Sequence, residues 1–168
     1  TSVRVVCCNT LRMALSQHKA GGRTTGFSVG HNREFDRAWA QQQAQNLLDA
    51  SREYQSKAEL LAATGISREQ LLRYFVGLIG VENDEGKLTT RSKNKIDRLV
   101  QLYQSGPGAD LPSAKGTVWG ALNAFTHYAD FESPTRGNSS RFARAQFGPL
   151  AGLKQQALDS ALELAVAA

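Results

Sequence analysis

The 168-residue sequence has few of the residues that mark extracellular, membrane-spanning or metal-dependent proteins. Its two cysteines, Cys7 and Cys8, are adjacent. Neighbouring cysteines rarely pair with each other, so a reducing compartment, most simply a cytoplasm, is indicated. No run of about 18 apolar residues occurs, so we expect no membrane span. The three histidines, His18, His31 and His127, lack ligand spacing, and we therefore expect no metal and no cofactor.

Common catalytic signatures are also missing from the sequence. It has no phosphate-binding glycine loop, no paired catalytic carboxylate motif and no serine elbow. The first residues, TSVRVVCCNT, lack an initiator Met and the layout of a signal peptide. Because an apolar β-branched run follows at once, we expect the C-terminal part of a longer chain. A length of 168 residues, with 41% hydrophobic and 21% charged residues, predicts a single globular domain over residues 1–168.

The pattern of apolar residues predicts an α+β fold that is predominantly helical. Val3–Cys7 and residues 24–31 are strand candidates, giving a small N-terminal β-sheet of about two strands. Five to six helices are expected to pack with this sheet. Two of them are expected to cover residues 33–63 and 87–104. The other four are expected to begin near residue 11, at Ser67, at Thr117 and near Pro149. The second segment contains no Gly or Pro and fits one long helix, with a break near Ser51 or Ser56 as the alternative.

The clearest local signal is at Ser67. With Gln70 it forms a capping box, and Ile66 with Leu71 forms a hydrophobic staple around it. The surrounding sequence, AELLAATGISREQLLRYF, also fits a helix-turn-helix whose second helix would read DNA. Several of its residues are too apolar for an open recognition surface, and we favour an ordinary pair of packed helices.

Aromatic residues are concentrated in the stretch GTVWGALNAFTHYADF, residues 116–131. Helical spacing places four of its residues on one face, which is therefore predicted to be buried in the core: Trp119, Leu122, Phe125 and Ala129. A second, more polar side carries Asn123, His127 and Asp130. The aromatic content of this stretch is therefore explained by burial, without chemistry.

Much of the net charge of +5 lies in two segments of the second half. Residues 87–98 hold five basic residues and one Asp, and KLTTRSKNK within them is expected to be an exposed loop leading into a helix. Residues 133–154 hold no acid. Cations bind phosphates, and aromatic rings stack on unpaired bases. The predicted nucleic-acid-binding residues are Arg91, Lys93, Lys95, Arg98, Arg136, Arg141, Arg144 and Phe142. An ordinary solvated charged face is the competing interpretation.

Several motifs together resemble one family. RVVCCNTL is similar to its RVVCxNTL signature, and GTVWGALNAFTHYAD to its GTxWGAxNAxTxYxD helix. The family consists of domains of unknown function carried by prophages and conjugative plasmids. The resemblance covers nearly the whole chain, and it implies a cytoplasmic bacterial protein near DNA transactions. The resemblance implies a His after the Asp of the second motif, and this sequence departs from that pattern because it has Phe131 there.

Three classes of function remain open on the sequence. The leading hypothesis is a nucleic-acid-binding accessory protein of a phage, prophage or plasmid, acting in recombination or single-strand handling. The alternative is a protein-interaction module, an anti-defence or regulatory factor that does not bind nucleic acid. The third is an enzyme that uses His31 or His127, which we consider weaker because no diagnostic partner residues accompany them.

Overall fold

The computed structural model describes residues 6–8, 12–14, 37–80, 87–134 and 149–168. The chain divides into two compact units, residues 1–57 and 58–168. In the first unit, strand β1 (Val6–Cys8) pairs antiparallel with strand β2 (Arg12–Ala14), and Cys7 lies opposite Met13. Residues 12–14 therefore form a strand where the sequence predicts a helix. The predicted strand over 24–31 lies outside the described residues, so the predicted small sheet stays a prediction.

Helix α1 runs without interruption over Arg37–Ala63. The single long helix that the sequence favours is confirmed, and the alternative break near Ser51 or Ser56 does not occur. The Ser56 hydroxyl donates to the Arg52 carbonyl oxygen at 3.1 Å, so its polar group is satisfied within the helix. Side-chain pairs one turn apart, such as Lys57 with Glu53 at 2.8 Å, further support a helix with long exposed stretches.

The second unit contains four more α-helices among its described residues. They are α2 (Arg68–Ile79), α3 (Thr90–Ser105), α4 (Val118–His127) and α5 (Pro149–Val166). The described part of the chain is thus predominantly helical, as the sequence predicts. Helix α4 packs against α2, α3 and α5, and α2 also contacts α3 and α5. No helix in the described ranges is long and apolar enough to span a membrane.

Side-chain caps set the beginnings of the helices. The predicted capping box is confirmed: the Ser67 hydroxyl accepts from the Gln70 N–H at 3.2 Å, and the Gln70 side chain accepts from the Ser67 N–H at 2.9 Å. Helix α3 begins at Thr90, because Thr89 caps it by accepting from the Ser92 N–H at 3.2 Å. Most of KLTTRSKNK is therefore helix, which corrects the predicted loop.

The core of the second unit is built around α4. The predicted buried face is confirmed, since Trp119, Leu122, Phe125 and Ala129 are each at most 5% exposed. The Tyr74 hydroxyl crosses from α2 to donate to the Ala157 carbonyl oxygen in α5 at 2.9 Å. Burial raises the pKa of Tyr74 well above its ordinary value, so this hydroxyl stays a neutral donor that joins two helices.

The turn between α1 and α2 is closed by the segment before α4. The Ile66 N–H donates to the Gly116 carbonyl oxygen, and the Val118 N–H donates to the Thr64 carbonyl oxygen, each at 3.0 Å. Gly116 has φ +77°, a left-handed conformation that glycine adopts without strain. This backbone pairing accounts for the tight turn in structural terms, in agreement with an ordinary pair of packed helices.

Candidate functional site at the end of helix α4

Helix α4 continues directly into a π-helical turn, Tyr128–Glu132. Its end is fixed by Ser133, whose N–H donates to the Tyr128 carbonyl oxygen at 2.8 Å and whose hydroxyl donates to that of Ala129 at 2.9 Å. A π-helical turn widens the helix by one residue, and such turns are frequent at functional sites. Here it gathers His127, Asp130 and Glu132 against charged side chains of α3 and α5, a group called the π-turn cluster below.

Glu132 forms the strongest polar contact of the π-turn cluster. Both of its carboxylate oxygens accept from Arg98 of α3, Oε2 from Nε at 2.6 Å and Oε1 from Nη2 at 2.7 Å. This two-point geometry is the favoured arrangement of guanidinium with carboxylate. Hydrogen bonding to Arg98 holds the pKa of Glu132 below its usual value, although partial burial opposes that shift.

The His127 side chain lies between Glu132 and Phe131. Its Nε2 is 3.8 Å from Glu132 Oε1, and its ring centroid is 4.9 Å from that of Phe131, at an interplanar angle of 39°. His127 therefore lies next to a carboxylate and packs against an aromatic ring. The other histidine of the enzyme hypothesis, His31, lies outside the described residues.

Asp130 is held by a second, more enclosed ion pair. Its Oδ1 accepts from Lys154 Nζ of α5 at 2.8 Å, and the two side chains are 14% and 19% exposed. The acids of the π-turn are thus each matched by a cation from another helix. Among the described residues, no group of three or more His, Cys, Asp or Glu side chains could hold a metal ion.

The four predicted nucleic-acid-binding residues of α3 do not share one side of the helix. Arg91, Lys95 and Arg98 follow at i, i+4 and i+7 and form one row, called the α3 basic stripe below. Lys93 is two residues from Arg91, or about 200° around the helix, and lies away from this row. The structure therefore brings three of the four together.

The α3 basic stripe runs beside the π-turn. Arg98 bonds Glu132, and Arg91 is close enough to Tyr128 to act on its hydroxyl electrostatically. Burial is the main reason that the pKa of Tyr128 is raised; the Glu132 charge adds to the shift and Arg91 opposes it. Within the described part of the chain, neither Arg91 nor Lys95 forms an ion pair. The other four predicted residues, Arg136, Arg141, Phe142 and Arg144, lie outside the described residues.

The sequence interpretation did not find the acids that complete this site. Asp130 and Glu132 are the partners of Lys154 and Arg98, which are 24 and 34 residues away along the chain. Asp130 was recognised only as part of a polar side. The sequence signal that indicated a polar site was the position of Asp130 and His127 away from the apolar face of the helix.

The Arg98–Glu132 pair predicts how stability depends on pH. The folded pKa of Glu132 is lowered, so its contribution is complete above the unfolded pKa, near 4.5, and is lost as pH falls through the folded pKa. We expect Glu132→Gln to lower the free energy of unfolding at pH 7. The difference from the parent protein should shrink as pH falls below about 4. Urea denaturation at a series of pH values measures both.

Glu69→Gln is the matched control for this prediction. Glu69 also pairs with an arginine, Arg73, but the two side chains are 75% and 73% exposed. Exposed pairs one helical turn apart contribute only about 0.3–0.5 kcal/mol. A Glu132→Gln protein no less stable at pH 7 than Glu69→Gln would contradict the role given to the bidentate pair.

The fold and the π-turn cluster define a helical domain with an aromatic core and a charged site where three helices meet. A family model described as a domain of unknown function (DUF932) matches residues 1–146. The chain belongs to this family, as the motif resemblance predicts. The match includes the whole of the π-turn and the α3 basic stripe. No curated protein and no solved structure matches the chain.

Proposed function

We propose that this protein is a nucleic-acid-binding accessory factor of a phage, prophage or plasmid, present in the cytoplasm and acting on recombining or single-stranded DNA. The observation that carries the proposal is the α3 basic stripe beside the π-turn. Arg91 and Lys95, the two members of the stripe that are not bonded to Glu132, are separated by about 6 Å along the helix, at 1.5 Å per residue. A row of cations at this spacing can contact successive phosphates of one strand.

The balance of charge near the π-turn also favours an anionic ligand. Asp130 and Glu132 are each bonded to a cation, and among the described residues no acid forms an ion pair with Arg91 or Lys95. The chain then leaves the π-turn at Pro134 and enters α5 at Pro149, and the intervening residues carry Arg136, Arg141 and Arg144 with no acid. The arginine segment is thus joined by sequence to the π-turn that borders the α3 basic stripe.

Binding of fluorescently labelled oligonucleotides, measured by anisotropy, tests the proposal. The protein should bind at about 50 mM salt and weaken steeply towards 200 mM, because phosphate contacts release counterions. We expect Arg91→Gln and Lys95→Gln each to reduce the dependence of log affinity on log salt by about 0.7 for a single strand. Absence of binding to single- and double-stranded DNA at low salt would overturn the proposed function.

Lys93→Gln is the matched comparison for these variants. It removes the same charge from the same helix, but from outside the α3 basic stripe. A binding face on the stripe predicts a smaller loss for Lys93→Gln than for Lys95→Gln. Equal losses would mean that only the total charge of α3 matters. Removing the charges of Arg136, Arg141 and Arg144 together tests the arginine segment in the same assay.

A groove between α2 and α3 favours the alternative, a protein-interaction module that acts as an anti-defence or regulatory factor. It has a volume of about 230 Å³, and its apolar lining includes Ile66, Leu72 and Val100. A partner's apolar side chain would suit this groove. Leu72→Asp should abolish capture of a host or phage protein under this alternative and leave DNA binding unchanged. Pull-down after nuclease treatment measures the first effect.

A further inference from the structure

Phe131 is an aromatic residue whose surroundings do not resemble those of the other rings in its stretch. Trp119 and Phe125 are 5% and 2% exposed, whereas Phe131 is 54% exposed. It lies within the π-turn, six residues beyond Phe125, and so falls on another side of the helix. The other two rings are therefore part of the core, whereas Phe131 presents much of its surface to solvent.

A series of side-chain contacts leads from the Phe131 ring to helix α3. His127 lies against its ring at a centroid distance of 4.9 Å, Glu132 lies 3.8 Å from His127, and Arg98 binds Glu132 through two hydrogen bonds. These contacts connect the exposed ring, through two side chains, to one end of the α3 basic stripe. A ring that already packs against a neighbouring side chain has less freedom to lose when a ligand stacks on it.

The neighbours of Phe131 are unsuited to an extended apolar interface. The ring packs against His127, which in turn lies next to Glu132 and, through it, Arg98. A planar ligand that also carries negative charge fits an exposed ring that is linked, through His127 and Glu132, to one end of the α3 basic stripe. An unpaired nucleobase joined to phosphates has this chemistry, and in a duplex the faces of the bases are already stacked.

We propose that Phe131 is a base-stacking residue and that the ligand of the α3 basic stripe is a single-stranded nucleic acid. This inference rests on the proposed nucleic-acid-binding function and adds the strandedness of the ligand and a contact residue. The phosphates lie along Arg91 and Lys95, and one unpaired base lies on the exposed face of Phe131. Stacking is tolerant of sequence because every base has an aromatic face.

The test compares Phe131→Leu with Phe131→Tyr in anisotropy titrations of labelled oligothymidine and of a duplex of the same length. Leu keeps an apolar side chain but removes the flat ring, whereas Tyr keeps the ring. We expect Phe131→Leu to bind oligothymidine roughly 5- to 100-fold more weakly, the size of one lost base stack. Its salt dependence should stay that of the parent, because no charge is removed. Phe131→Tyr should retain affinity within about twofold.

Each outcome separates the inference from the proposed function. If the parent protein binds neither strand form, the proposed function fails and the inference fails with it. If the parent binds oligothymidine and Phe131→Leu binds it equally well, only the inference is overturned. Tighter binding of duplex than of oligothymidine by the parent would also overturn it. A parallel titration with oligouridine shows whether the strand is DNA or RNA, and circular dichroism of each variant verifies folding.

Discussion

Phe125→Ala should lower the free energy of unfolding by about 3–5 kcal/mol, the cost of deleting a buried phenyl ring from a packed core. Phe125 is 2% exposed and lies in α4, the helix that contacts α2, α3 and α5. Because a domain of this size is stable by only about 5–15 kcal/mol, this is a large part of the total. Urea denaturation followed by circular dichroism at 222 nm, the usual helix signal, measures the change.

Phe131→Ala is the control for this result. It deletes the same ring from the same stretch of chain, but from a position that is 54% exposed. We expect it to change stability by less than about 1 kcal/mol. Comparable losses for the two variants would show that Phe131 is as buried as Phe125, which would contradict both the described core and the availability of Phe131 for stacking.

Gly120→Ala should be strongly destabilising, by about 3 kcal/mol or more, at the upper end of overpacking. A β-carbon on Gly120 would stand 2.0 Å from the Ala114 carbonyl oxygen and 3.2 Å from the Tyr103 ring. The first of these atoms is backbone and cannot rotate away. It is held by the Thr117 hydroxyl, which donates towards the Ala114 carbonyl at 3.1 Å and accepts from the Gly120 N–H at 3.2 Å.

Gly77→Ala gives the matched comparison. Gly77 lies inside α2, and a β-carbon there would meet no atom within 4 Å. Because alanine favours helix and restricts the unfolded chain, we expect Gly77→Ala to stabilise the protein by about 0.4–1 kcal/mol. The same substitution should thus have opposite signs at the two sites. A Gly120→Ala protein as stable as the parent would show that α4 and the preceding loop are farther apart than described.

The same stability measurements serve as controls for the binding experiments. The α3 basic stripe and the π-turn both border α4, so a variant that loosens the α4 core would weaken binding without touching a ligand. Arg91→Gln, Lys95→Gln and Phe131→Leu alter side chains outside the buried core. If the unfolding midpoint of a variant is unchanged, a loss of binding therefore indicates a lost contact with the ligand.

Local signals in the sequence were enough for much of the helical architecture. The Ser67 capping box and the Thr117 cap each depend on residues within three positions, and both are present in the structure. The buried face of α4 follows from helical spacing alone. The exposed loop predicted for KLTTRSKNK was wrong because it overlooks the Thr89 cap on Ser92, although the same short-range logic applies to it.

The sequence by itself determined the family, the predominantly helical class and the apolar side of α4, because each is encoded by neighbours along the chain. Only the tertiary structure decided which charges meet. Arg98 and Glu132 are 34 residues apart, and Lys154 and Asp130 are 24 apart. Pairing at such separations depends on how α3 and α5 pack against α4, and no spacing rule predicts it. Packing also set Gly120 against Ala114 and left Phe131 exposed, because these depend on what lies opposite each residue in space.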